Sequence, residues 1–212
     1  MFKTTFLLLA LLFGAVGSAM ADGLTYDVTV DTSGIAGTSG SLDFQFNPGP
    51  LVTQAADLQI QNFTSDGTVG ILPTLTGDAS GALPGTVTFD NGQAFNDYFT
   101  GFTYGSTLSF LVNLYGPAVT SPDGISTSGS KFAFSMFSDP AGMSPILTND
   151  LVDGYALTAA INLDGTATIT NSSSQLTITT PVTAAPEPST LLLLGLGLAS
   201  LVFSRRKVIL SR

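Results

Sequence analysis

Five dipeptides, Asp66-Gly67, Asn91-Gly92, Asp123-Gly124, Asp153-Gly154 and Asp164-Gly165, punctuate this chain of 212 residues. Asp-Gly and Asn-Gly tolerate the positive φ angles of tight turns, so each predicts a reversal of the chain. Between the reversals the apolar residues alternate. Leu24, Tyr26, Val28 and Val30 fall on one face, and Leu42, Phe44 and Phe46 repeat the pattern. A period of two belongs to a half-buried strand rather than a helix. Further strands are expected over residues 58–63, 86–89, 108–114, 132–137, 155–161, 166–169 and 176–179, about nine in all, with no convincing helix. The fold class predicted is all-β: an antiparallel β-sandwich of jelly-roll or immunoglobulin-like type. Three stretches, 64–85, 116–130 and 138–153, are rich in Gly, Pro, Ser and Thr and are expected to be long loops, where binding would concentrate. Gly-Thr-x-Thr recurs at Gly85 and Gly165 without a regular period, which is turn-to-strand grammar and no solenoid.

The two ends follow a different grammar. Lys3, the apolar stretch from Phe6 to Val16 and the small residues Ala19 and Ala21 around Met20 read as a signal peptide, residues 1–21, cleaved after Ala21. At the other end Pro186-Glu187-Pro188 precedes an apolar run from Leu191 to Phe203 and the cations Arg205, Arg206 and Lys207. As a helix those 13 residues cover about 20 Å of a hydrocarbon core roughly 30 Å thick, a short transmembrane helix. The basic cluster would stay cytoplasmic and the body outside. The expected organisation is a body over 22–179, a linker and motif over 180–188, and a hydrophobic segment with a basic tail over 189–212.

Pro186-Glu187-Pro188-Ser189-Thr190-Leu191, followed by Leu, Gly and Ala residues and by Arg205-Arg206, resembles the PEP-CTERM tail of bacterial exported proteins. The resemblance covers residues 185 to 207. It implies that Pro186, Glu187 and Pro188 are the recognition element of an exosortase-type membrane protease, and that Arg205, Arg206 and Lys207 are the stop. Val208 to Arg212 extend beyond the usual end of the pattern. The implied route runs through Sec export and signal peptidase to transient anchoring in the inner membrane with the body outside, then to the cell surface or beyond. The chemistry of the body is not implied by its tail.

Without its ends the chain is strongly acidic: residues 22–185 hold 14 Asp, no Glu and a single cation, Lys131, a formal charge of −13 against −9 for the whole. Such a surface repels phosphate backbones, so nucleic acid is not an expected partner. The chain contains no His and no Cys. That removes the imidazole base, the thiol nucleophile, the Ser-His-Asp triad and the ordinary zinc or haem site. It also removes disulfides, so a body of this size must rely on core burial.

Several patterns invite over-reading. Gly124 to Lys131 approaches a P-loop but has an extra Ser before the Lys and no following helix. Asp31-Thr32-Ser33-Gly34 lacks the paired copy that an aspartic protease needs. Asp150, Asp153 and Asp164 are the candidates for calcium, the only cofactor expected of such a site, although most of the Asp excess is expected to be turn chemistry. Tyr98 and Tyr104, crowded with Phe99 and Phe102 beside Asn96 and Asp97, are the candidates for stacking on a sugar ring, with burial in the core as the competing expectation. The reading that follows is a non-enzymatic exported surface or matrix protein, structural or adhesive, with extracellular polysaccharide as a partner. The alternatives are a carbohydrate- or calcium-binding module and, more remotely, an Asp-dependent glycosidase.

Overall fold

The period-two segments become strands because each can bury one row of apolar side chains against a second sheet. A computed structural model describes residues 23–180, which fall within one compact unit. Thirteen strands run in chain order as β1 Leu24–Asp31, β2 Ser39–Asn47, β3 Asp57–Ser65, β4 Thr68–Val69, β5 Thr74–Thr76, β6 Ala79–Gly81, β7 Val87–Asp90, β8 Asp97–Thr103, β9 Thr107–Tyr115, β10 Lys131–Phe137, β11 Leu157–Ile161, β12 Ala167–Asn171 and β13 Leu176–Thr179. The only helical pieces among the described residues are one turn at Pro117–Thr120 and a 3-10 turn at Ser33–Ile35.

Two antiparallel sheets form a β-sandwich. The first has the order β13-β1-β9-β3-β7-β6; the second runs β12-β11-β10-β2-β8-β4, with β5 also pairing β8. Consecutive strands are rarely neighbours, so most pairings depend on distant segments.

The core lies between the sheets. Leu42, Phe44 and Phe46 of β2 are fully buried, as are Val28 and Val30 of β1, Leu58 and Ile60 of β3, and Phe132 and Phe134 of β10. Phe44 sits at the centre of an aromatic cluster. Its ring centroid lies 4.9 Å from Phe134 and 6.3 Å from Tyr98 in its own sheet, and 5.2 Å from Phe110 of β9 across the interface. Edge-to-face contacts of this kind add to the area that aromatic residues bury.

The alternation in β3 breaks once. A bulge between Gln61 and Thr64 places Asn62 at φ 52°, a conformation Asn tolerates better than a branched residue. The extra residue shifts the phase, so Phe63 rather than residue 62 turns inward and meets Phe102 at 6.2 Å.

Two expectations need correction. The stretch 64–85 is not one irregular loop; it carries the end of β3 and the short strands β4, β5 and β6. Residues 97–103 form β8, an interior strand of the second sheet that the sequence reading left out. Stretches 116–130 and 138–153 contain no strand. The signal peptide, the Pro186-Glu187-Pro188 motif, the basic stop and the hydrophobic segment lie outside the described residues; within those, no helix is long and apolar enough to cross a membrane.

Candidate functional site

Most of the aspartates close turns. Asp123 Oδ1 accepts the N–H groups of Ile125 and Ser126 at 3.0 and 2.9 Å, and Asp164 Oδ1 accepts the N–H of Thr166 at 3.0 Å. Asp150 Oδ1 accepts from Val152 and Asp153 in the same way, and Asp31, Asp66, Asp90 and Asp139 each take at least one backbone N–H. The hydroxyls of Ser33 and Thr166, which donate to Asp31 and Asp164 at 2.6 Å, and the backbone bonds to Asp66, Asp123 and Asp150 favour the charged form and hold all five below the usual carboxylate range. Following residues often take the positive φ the dipeptides imply: Gly124, Gly154 and Gly165 lie at 68°, 75° and 83°.

The calcium candidates do not converge. Asp150 and Asp153 share one turn before β11, Asp164 closes the β11–β12 hairpin, and among the described residues no three acidic side chains are grouped to hold a metal.

The sugar-stacking candidates are corrected by burial. Tyr98 and Tyr104 are 0% and 1% exposed, because both project from the second sheet into the sandwich. Tyr98 Oη accepts the Leu83 N–H at 3.0 Å, and Tyr104 Oη lies 2.9 and 3.0 Å from the carbonyls of Ser41 and Phe137, to which it donates. A ring packed on both faces, with its hydroxyl already paired, has no face left for a sugar. Asn96 is equally occupied: its amide donates to the carbonyls of Phe46 and Gln93, and its carbonyl accepts the Asp78 N–H.

The chemically unusual group is one that sequence reasoning passed over. In β2 and β8 the residues between the core positions point to the outer face of the second sheet. Asp43 stands opposite Phe99 and Gln45 opposite Asp97, so Asp43 and Asp97 are diagonal neighbours on that face. The two carboxyls lie close enough for each to act on the other's protonation. Gln45 Nε2 donates to Asp43 Oδ2 at 2.8 Å, whereas Oδ1 of Asp43 and Oδ1 of Asp97 are both buried without a partner among the described residues. Residues after β10 fold back over this face: Ser41 Oγ donates to the Asp139 carbonyl at 2.8 Å, and Gly142, at φ 70°, lies where a Cβ would strike the Phe99 ring. Asp43 is only 9% exposed as a result.

Burial, then the hydrogen bond and charge of Asp43, push the Asp97 carboxyl up to about 9, and burial raises Asp43 as well. The protonated form of Asp97 is therefore favoured at neutral pH, which relieves its repulsion with Asp43. A carboxyl raised in the folded state keeps a proton that the unfolded chain gives up above about pH 4, so its contribution to stability declines as pH rises from about 4 towards 9. The turn aspartates act oppositely, losing their contribution as pH falls below about 4. Stability of the mature protein in chelator is expected to peak between about pH 4 and 5. Asp97→Asn keeps a donor towards Asp43 and removes the titration, so it should flatten the alkaline slope and stabilise at pH 8.5 by on the order of 1–3 kcal/mol. Urea melts across this range check both; a stability that stays level up to pH 9 in the unmodified protein contradicts the raised Asp97 carboxyl.

The fold and this face define an acidic β-sandwich body. Residues 184–207 match the family model described as the PEP-CTERM protein-sorting motif. No curated protein and no solved structure matches the chain. The motif supports an exported protein, sorted through an exosortase and transiently anchored in a membrane.

Proposed function

We propose that this protein is a non-enzymatic component of the cell surface or extracellular matrix, with a structural or adhesive role. The observation that carries the reading is the sorting motif at residues 184–207, which supports delivery to the exterior. The body is in keeping with it. Its polar residues go largely into turns and strand faces, and its single cation and lack of His leave little catalytic equipment. Ser and Thr make up 42 of residues 22–185, and those that are exposed suit contact with hydrated polysaccharide. The route proposed is Sec export, signal peptidase cleavage after Ala21, and exosortase processing near Pro186-Glu187-Pro188.

Deletion of the gene is the test. Loss of surface attachment or matrix cohesion is expected, restored by re-expression, together with recovery of the mature protein in the matrix fraction. Hydrolysis of the host's polysaccharide by the purified mature protein, or an unaltered matrix and attachment in the deletion strain, would sink the proposal.

A further inference from the structure

The Asp43–Asp97 pair remains after the turns account for the other well-bonded aspartates. Two acidic residues alone do not make a site, but three features of this pair point to a ligand. Asp43 is 9% exposed, and its Oδ1 is buried with no partner among the described residues. Asp97 Oδ1 is likewise buried without a partner, although Asp97 as a whole is only half-buried. The body's one cation lies elsewhere: Lys131 Nζ sits 5.0 Å from the centre of the Tyr155 ring, near Asp150, and lends the pair no ion contact. Carboxylate oxygens out of water cost free energy unless a proton, a donor or a cation meets them.

We propose that Asp43 and Asp97 bind a divalent hard cation, calcium foremost, on the outer face of the second sheet. Two carboxylates match the charge of the ion, and oxygen is its preferred ligand. Ser135 of β10 stands directly opposite Asp43, and Thr76 of β5 directly opposite Asp97, so both hydroxyls reach the same face as the carboxylates. Water completes the shell. Tyr155, Asp150 and Asp153 are the other titratable groups whose charge bears on this face, along with Lys131, and none of them bonds to the unpaired oxygens. A site with two carboxylates belongs at the weak end of the calcium range, at about 10⁻⁴–10⁻³ M, which suits an extracellular protein. The bound ion would tie β2 to β8 through the two carboxylates. This site is separate from Asp150, Asp153 and Asp164 and does not depend on the surface role proposed above.

The test is a thermal melt of the mature protein, freed of metal with chelator, at pH 8. Calcium at about tenfold over Kd is expected to raise Tm by about 3–6 °C, reversibly on adding chelator, with sodium chloride of equal ionic strength giving no comparable shift. Asp43→Asn and Asp97→Asn should abolish the rise, while Asp150→Asn combined with Asp153→Asn should keep it. If either Asn variant lacks native circular dichroism, the smaller Asp43→Ser or Asp97→Ser replaces it. A magnesium response in place of calcium, lost in the same variants, supports the site with a different ion. Absence of any shift with either ion in the unmodified protein, or a shift retained when Asp43 or Asp97 is neutralised, overturns the proposal.

Discussion

Phe44→Ala is expected to cost the body about 3–5 kcal/mol, the range for truncating a large aromatic in a packed core. Phe44 is fully buried and lies within 5.2 Å, ring centre to ring centre, of both Phe134 in its own sheet and Phe110 in the other. Removing its ring therefore opens a cavity at the sheet interface and strips Phe110 and Phe134 of a shared partner, although those two still meet at 5.0 Å. Neighbouring strands hold β2 on both sides, which limits how far the backbone can collapse into the space. Against a total stability of roughly 5–15 kcal/mol the loss is large, and without disulfides no cross-link compensates. In urea the midpoint should fall while the slope stays constant. Phe44→Leu, which refills most of the volume, should recover the greater part of the loss. Equal midpoints for Phe44→Ala and the unmodified protein would place this ring outside the cooperative core.

Replacing Pro186-Glu187-Pro188 with three Ala residues is expected to leave the full-length chain in the envelope and to empty the extracellular pool of mature protein. The hydrophobic segment spans 13 residues, about 20 Å as a helix, and is followed by three cations that are costly to move through hydrocarbon. Release therefore depends on cutting upstream of the segment, and the motif is what the sorting protease would recognise. Mass spectrometry of envelope and supernatant fractions reads both ends of the chain at once. Extracellular protein that still carries residues 189–212, or normal release of the triple-Ala variant, would show that this motif does not direct processing. The body's fold should be unaffected, since residues 23–180 form their own core.

Local pattern carried a large part of the architecture. β1, β9, β10 and β13 lie within a residue or so of the expected segments, because a one-sided alternation bounded by turns has few other ways to bury its apolar row. β8 escaped for a definite reason. In Asp97–Thr103 the inward row Tyr98, Thr100 and Phe102 is interleaved with an outward Phe99, so apolar residues fall on both faces and the period is blurred. Phe99 is outward yet sheltered, because Gly142 of a distant loop packs against its ring. Tyr98 and Tyr104, weighed between a sugar platform and the core, belong to that same strand and its end. The bulge at Asn62 likewise shifts the phase of β3 at a residue whose type gives only weak notice of it.

By itself, the sequence determined the all-β class, the turn positions, the acidic and histidine-free character of the body and the sorting motif, since each depends on residue type and on spacing within a few positions. Tertiary structure alone decided the strand order, the burial of Tyr98 and Tyr104, and the meeting of Asp43 with Asp97. Those two residues are 54 positions apart in the chain. Read locally, each is an ordinary solvent-facing residue of a strand. Their contact arises only because β2 pairs with β8 in one register and the chain after β10 folds over that face, withdrawing water from two carboxyls that then need a proton or a cation between them.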